Sequence, residues 1–232
     1  MDYVIEKAAK AIDKHSITAK PRRRKNKDSK NYQTFRKKKE FNNQLDKCYL
    51  LLGKAYFYKK KYTMANNTFR FIQRQYAEDE ALMTEVSIWL FRSLTEMGRY
   101  EEAARIMDRL DGSTLKRKQR EMVAAARTDF YVRQGMYEQA IPEAERLVRT
   151  CKSIKRKPRY NFLLSQLYVK ENQDGAAKLA LKKATRFNFN YEMVFNARIG
   201  MASAYQEGDA AVEKKLKKML IPQVTGRVES RL

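Results

Sequence analysis

Histidine and cysteine are nearly missing from this sequence, which has only His15, Cys48 and Cys151. The two cysteines are far apart in sequence and lack metal-ligand spacing, so we expect two free core thiols. No Ser-His-Asp or Cys-His arrangement is available for nucleophilic catalysis. The sequence also has no GxxxxGK[ST], no GxGxxG after a strand and no HExxH. We therefore expect no enzyme, no cofactor and no metal site.

Glycine and proline are also scarce, at eight and four of 232 residues. This composition suits long helices more than a β sandwich. No run of about 18 apolar residues is present to cross a membrane. The N-terminus, MDYVIEKAAKAIDKH, lacks the apolar core of a signal peptide. With 43% hydrophobic residues, the chain can still bury a core.

Acidic residues are few beside the basic ones, 27 against 50, and the formal net charge is +23. Such a charge attracts nucleic acid, anionic lipid or an acidic protein. We expect an amphipathic helix in residues 1–17 and a basic, flexible linker in 18–40, where like charges repel and little can be buried. The basic clusters of this linker are Arg22, Arg23, Arg24 and Lys25, then Arg36, Lys37, Lys38 and Lys39.

A pattern of small and aromatic residues begins at residue 45. Gly53 and Ala65 lack bulk where two amphipathic helices would cross, so the two backbones can approach closely. Tyr56 and Phe69 would fill the space around that contact. The small residue recurs at intervals of about 38, 37 and 37 residues, as Ala65, Ala103, Ala140 and Ala177.

This pattern resembles the tetratricopeptide repeat (TPR), whose consensus of about 34 residues runs aromatic, Leu-Gly, Tyr, Ala, Phe and Pro. The corresponding residues are Tyr49, Leu52, Gly53, Tyr56, Ala65, Phe69 and, in place of Pro, Ala77. The resemblance implies an all-α fold, a superhelical array of antiparallel helix hairpins (an α-solenoid). We expect this array in residues 41–220 and a tail in 221–232. Its repeats are expected at about 45–78, 83–116, 120–152 and 157–189, followed by a capping helix pair at 190–220.

The first helix of each TPR hairpin lines the concave face of such an array. Helical position predicts that this face includes the partner-binding residues Lys47, Lys54, Phe57, Glu85, Arg92, Asp129, Arg159 and Gln166. The apolar or small residues Leu50, Ile88 and Thr95 are expected on the same face. The alternative is that these residues are merely the solvated sides of helices.

The order of segments further resembles the PorW/SprE-type proteins of Bacteroidetes gliding motility and type IX secretion. The resembling stretches, over most of residues 4–220, are IEKAAKAIDKHSI, a basic linker, LDKCYLLLGKAYFYKKKYTMANNTFRFI, IWLFRSLTEMGRYEEA, NYEMVFNARIGMASAY and KKLKKML. The resemblance implies a protein-binding scaffold at the periplasmic side of the outer membrane. Members of the family carry an N-terminal lipoprotein signal, so we expect this chain to be a fragment, a shortened paralogue or an excised piece.

Two other interpretations stay open. The charge of +23 also suits a helical-repeat protein that binds nucleic acid. Against this, Tyr49 and Phe69 occupy core positions and leave few aromatic rings for base stacking. The basic linker could instead lie on anionic lipid headgroups, which is compatible with a scaffold. Without a signal peptide or a spanning segment, a cytoplasmic location is open as well.

Overall fold

The structure is a computed structural model that describes residues 1–15, 44–111, 115–186 and 191–203. These ranges contain ten α-helices and no β-strand, which confirms the predicted all-α class of TPR-like helix hairpins, an α-solenoid. In chain order the helices are α1 (Asp2–His15), α2 (Leu45–Tyr58), α3 (Tyr62–Gln75), α4 (Glu80–Glu96), α5 (Tyr100–Asp111), α6 (Arg117–Arg133), α7 (Tyr137–Thr150), α8 (Lys157–Lys170), α9 (Asp174–Ala184) and α10 (Tyr191–Ser203).

Four short turns of the same construction separate α2 from α3, α4 from α5, α6 from α7 and α8 from α9. Each turn has one residue with a positive φ angle, namely Lys60 (59°), Gly98 (71°), Gly135 (72°) and Asn172 (55°). In each turn the N–H of the following residue donates to the carbonyl five residues before it. In chain order the four N···O distances are 2.9, 2.9, 2.9 and 2.8 Å. This is the Schellman ending of an α-helix, in which a left-handed residue lets the backbone reverse.

The four recurring alanines each lie five residues after one of these left-handed residues. Ala65, Ala103, Ala140 and Ala177 are all fully buried, with 0% of their surface exposed. Each donates its N–H to the carbonyl four residues earlier and so belongs to the first turn of its hairpin's second helix. The four hairpins are therefore in register, and the spacing of the alanines predicted that register.

The first compact unit comprises residues 1–126. Within it α1 packs on α2, α2 on α3, α3 on α4 and α4 on α5, and the two first helices α2 and α4 also touch. Phe69 and Trp89 lie at its centre, with their rings stacked at a centroid distance of 6.4 Å. An ion pair between Lys59 and Asp2 ties the end of α2 to the start of α1, and its hydrogen bond holds the pKa of the Asp2 carboxyl below its usual value.

The second compact unit begins at Arg127, within α6. Its described helices pack in sequence, α8 on α7, α9 on α8 and α10 on α9, and the first helices α8 and α10 touch as α2 and α4 do. Small residues again line the contact, among them Ala140, Ala144, Ala177 and Ala180. α10 corresponds to the first helix of the predicted capping pair. The second helix of that pair, the basic linker and the tail lie outside the described residues.

The close crossing of α2 and α3 generates the first prediction. A Cβ added at Gly53 would lie 2.5 Å from Cε1 and 2.9 Å from Cζ of Phe69, whose ring is fully buried and cannot easily move. Gly53→Ala should therefore lower the free energy of unfolding by about 1–3 kcal/mol, and Gly53→Leu by more. The measurement is urea or thermal unfolding followed by circular dichroism.

Gly175 offers a matched control for that substitution. It also lies in a helix, α9, but nothing stands within 4 Å of where its Cβ would be. Gly175→Ala should be neutral or stabilising by up to about 1 kcal/mol, because alanine favours helix. Equal effects of the two substitutions would contradict the crossing described for Gly53.

A substitution at Lys60 is predicted to raise the free energy of unfolding. It holds the left-handed position that glycine occupies at Gly98 and Gly135, and a side chain there costs about 1–2 kcal/mol. Lys60→Gly should raise the free energy of unfolding by about 0.5–1 kcal/mol after the added entropy of the unfolded chain is subtracted. Gly98→Ala should lower it by a similar amount. A destabilised Lys60→Gly variant in the same unfolding assay would refute this account of the turn.

Candidate functional site

The predicted concave face falls into two parts, one in each compact unit. Lys47, Lys54, Phe57, Glu85 and Arg92 belong to the first unit, and Asp129, Arg159 and Gln166 belong to the second. The structure brings four of the first five together around one tryptophan, as the following contacts show. No hydrogen bond or ion pair within the described part of the chain joins the three residues of the second unit to one another.

An ion pair connects the first helices of the first two repeats. Lys54 Nζ of α2 lies 2.6 Å from Glu85 Oε1 of α4, and both side chains are partly exposed. The same ammonium lies 5.5 Å from the centroid of the Trp89 ring. A partly exposed pair of this kind contributes only about 0–1 kcal/mol, so its main effect is to orient the two side chains.

Arg92 lies across two aromatic rings. Its guanidinium carbon is 4.3 Å from the centroid of Trp89 and 4.7 Å from that of Phe57. The two rings meet edge to face at 5.4 Å. Cation–π contacts at such distances contribute about 0.5–2 kcal/mol and restrict the motion of the guanidinium. We call Lys54, Phe57, Glu85, Trp89 and Arg92 the Arg92 cluster.

Several residues predicted for the partner-binding face are buried instead. Phe57 is only 7% exposed, because Tyr62, Trp89 and the Arg92 guanidinium pack around its ring. It supports the Arg92 cluster rather than offering its own surface. Leu50, Ile88 and Thr95 are buried as well, and the Thr95 hydroxyl donates to the Phe91 carbonyl at 2.9 Å. Helical position alone had placed these four residues on the exposed face.

The other predicted residues make local contacts or face solvent. Lys47 is exposed and donates to Gln44 Oε1 at 2.9 Å. Asp129 accepts from Arg133 Nε at 3.1 Å, one turn further along α6. Arg159 and Gln166 of α8 are exposed. The basic linker residues, from Arg22 to Lys25 and from Arg36 to Lys39, lie outside the described part of the chain.

A polar contact that the sequence did not predict joins the third and fourth repeats. The Tyr168 hydroxyl of α8 donates to Glu145 Oε1 of α7 at 2.6 Å. Arg149 Nη1 lies 3.6 Å from the other oxygen of that carboxylate. Burial, and then the bond to Glu145, raises the pKa of Tyr168 to about 12. Only the structure shows that the Tyr168 hydroxyl has a charged partner.

Cysteine and acidic side chains are the remaining candidates for a metal or thiol site in the described ranges. The described residues include no group of three or more His, Cys, Asp or Glu side chains that could hold a metal ion. Both cysteines are free thiols, but only Cys151 is fully buried, so the prediction of two core thiols holds for one. Burial raises the pKa of the Cys48 thiol, which makes its thiolate less available. None of the described helices is long and apolar enough to cross a membrane.

Two comparisons with known proteins bear on this arrangement. A family model described as tetratricopeptide repeat matches residues 158–191, a segment that contains nearly all of α8 and all of α9. The crystal structure of BtubC (BKLC) from P. vanneervenii is similar, with a TM-score of 0.60 and 13% sequence identity over 99% of this chain and 89% of that chain. At this identity the likeness shows the fold alone. No curated protein matches the sequence.

Together these findings support a helical-repeat fold with a TPR. TPRs generally mediate protein–protein interactions, which suggests a non-enzymatic interaction scaffold. The predicted resemblance to the PorW/SprE type finds no support in either comparison.

Tyr168 provides a prediction that depends on pH. Tyr168→Phe should lower the free energy of unfolding by about 1–3 kcal/mol at pH 7, because Glu145 loses a buried donor. The folded-state pKa of about 12 exceeds the ordinary 10.0, so the folded chain holds this proton more tightly. The stabilisation from Tyr168 is therefore complete below pH 10 and disappears as the pH rises toward 12.

The difference in unfolding free energy between wild type and Tyr168→Phe should accordingly shrink above pH 10, as measured by urea unfolding at a series of pH values. Tyr58, which is exposed, supplies the control. Tyr58→Phe should stay within about 0.5 kcal/mol of wild type at every pH. A Tyr168→Phe difference that stays constant or grows above pH 10 would contradict the proposed hydrogen bond.

Proposed function

We propose that this chain is a non-enzymatic TPR scaffold that joins components of gliding motility or type IX secretion at the cell envelope. The TPR match and the helical-repeat fold support protein–protein interaction. The order of segments, from the N-terminal helix through a basic stretch to the repeats, supports the more specific role. The proposed location, the periplasmic side of the outer membrane, depends on the same resemblance.

The Arg92 cluster is the observation that best supports a protein-binding surface. Arginine and tryptophan are enriched among the residues that dominate binding energy in protein interfaces. The guanidinium already contacts two rings, so little side-chain entropy remains to be lost when a partner binds. The neighbouring Lys54–Glu85 pair adds one charge of each sign for orienting that partner.

A second candidate function is binding to nucleic acid or to an anionic membrane surface, which the net charge of +23 favours. The aromatic rings of the Arg92 cluster argue against base stacking there, because Phe57 and Trp89 are buried against each other and under Arg92. Binding to a nucleic-acid backbone would weaken steeply with salt, by a slope of about 0.9 per phosphate contacted on duplex DNA.

Affinity capture from a Bacteroidetes envelope extract tests the scaffold role, with three purified baits. They are the wild-type chain, Arg92→Gln, and Arg105→Gln as a control with the same charge change at an exposed position of the second helix α5. Wild type and the control should recover identified gliding or secretion components equally well. Arg92→Gln should recover about tenfold less, the effect expected when a dominant interface residue is removed.

Thermal unfolding of each bait would show that it is folded before capture. Equal recovery by all three baits would show that the Arg92 cluster is not part of the binding surface. If no component of the gliding or secretion machinery is recovered in a larger amount than on bare resin, the proposed function is wrong. A salt-sensitive complex with duplex DNA, in place of any protein complex, would favour the second candidate.

A further inference from the structure

A basic groove of about 890 Å³ lies in the second unit, where α7, α8 and α9 meet. Five cationic side chains line it, Arg149, Lys152, Lys157, Lys183 and Arg186, and no acidic residue of the described ranges does. They come from the end of α7, the connection to α8, the first residue of α8 and the end of α9. Two segments that are distant in sequence, residues 149–157 and 183–186, thus bring like charges together.

Most of this positive charge is not neutralised from nearby. Glu145 forms an ion pair with Arg149 of this groove, at 3.6 Å, while also accepting from Tyr168. Lys152, Lys157 and Lys183 are exposed and form no ion pair with any residue in the described ranges. Like charges held close together repel, and a bound anion would relieve that repulsion.

The groove also has an apolar part. Val148 and Pro158 contribute to its lining, and Ile154 stands in it with 59% of its surface exposed. No aromatic residue among those that the structure describes lines the groove, so none of them would stack there on a nucleic-acid base. An inorganic anion would satisfy the cations but would leave the exposed Ile154 uncovered. A ligand that carries both carboxylates and an apolar side chain satisfies both parts.

We propose that this basic groove binds an acidic peptide segment of a partner protein, whose carboxylates contact Lys152, Lys157 and Lys183 while an apolar side chain covers Ile154. The proposal rests on the proposed function as a protein scaffold and gives the chemistry of one partner. The groove belongs to the second unit and shares no residue with the Arg92 cluster. The two binding proposals can therefore be tested, and refuted, independently.

Fluorescence anisotropy with a purified chain and a labelled peptide tests this directly. The probe is a short peptide rich in Glu and Asp that contains one leucine. The groove variant is Lys152→Gln, Lys157→Gln, Lys183→Gln, and the control is Lys10→Gln, Lys14→Gln, Lys118→Gln, which removes the same charge at exposed positions elsewhere. The groove variant should bind the peptide about tenfold more weakly or worse, and the control within about twofold of wild type.

Ile154→Ser tests the apolar part separately. Wild type should prefer the leucine peptide over the same peptide with serine by about fivefold or more, and Ile154→Ser should lose that preference. Because the peptide titration uses neither Arg92 nor an envelope extract, failed capture with intact peptide binding would count against the proposed function and not against the groove.

Two results would overturn the proposal. Equal losses in the groove variant and the control would mean that the peptide senses only net charge. A selective loss for a single-stranded oligonucleotide or for phosphatidylserine vesicles, with no selective loss for the peptide, would assign the groove to those anions instead. Folding of every variant is checked by circular dichroism, which the exposed positions of the lysines should leave unchanged.

Discussion

The close approach of the two helices in each hairpin is the constraint on which the rest of the structure depends. In the first hairpin Gly53 leaves the space in which the ring of Phe69 lies, and Phe69 in turn stacks on Trp89 of the next repeat. Trp89 then supports Phe57 and Arg92. The partly exposed Arg92 cluster thus depends on the contact between Gly53 and Phe69 deep in the hairpin, so a packing change there should also disturb the surface.

Small residues and left-handed turns are the features from which the helix hairpins could be predicted. Gly98 and Gly135 indicate two of the turns, and the alanines that follow them mark the start of each second helix. Lys60 and Asn172 adopt the same backbone conformation without glycine, which only the repeat spacing could suggest. The four hairpins are alike because each must reverse the direction of the chain and bring two helix backbones close together.

The candidate surfaces were harder to predict because they depend on which segments become neighbours. The position of Phe57 on its helix suggested exposure, but the first helix of the next repeat brings Trp89 and Arg92 over its ring. The spacing of Trp89 and Arg92, three residues apart on α4, was the available signal for their contact. Lys152 and Lys183 are 31 residues apart, and nothing local in either segment indicates that they line one groove.

The structure thus offers two kinds of binding surface built on one repeated hairpin. The Arg92 cluster fixes an arginine on aromatic rings, whereas the basic groove gathers lysines whose charge has no carboxylate partner in the described ranges. The first suits a partner that contacts a rigid, mixed surface, and the second suits an acidic segment.

A double-mutant cycle between Gly53 and Phe69 tests the central claim most directly. The free energy of unfolding is measured for wild type, Gly53→Ala, Phe69→Leu and the double variant. If the ring of Phe69 fills the space that Gly53 leaves, Gly53→Ala should cost less in the Phe69→Leu background, with a coupling of about 0.5–3 kcal/mol. Additive effects, within about 0.5 kcal/mol, would mean that the two residues do not meet and that the helices do not cross there.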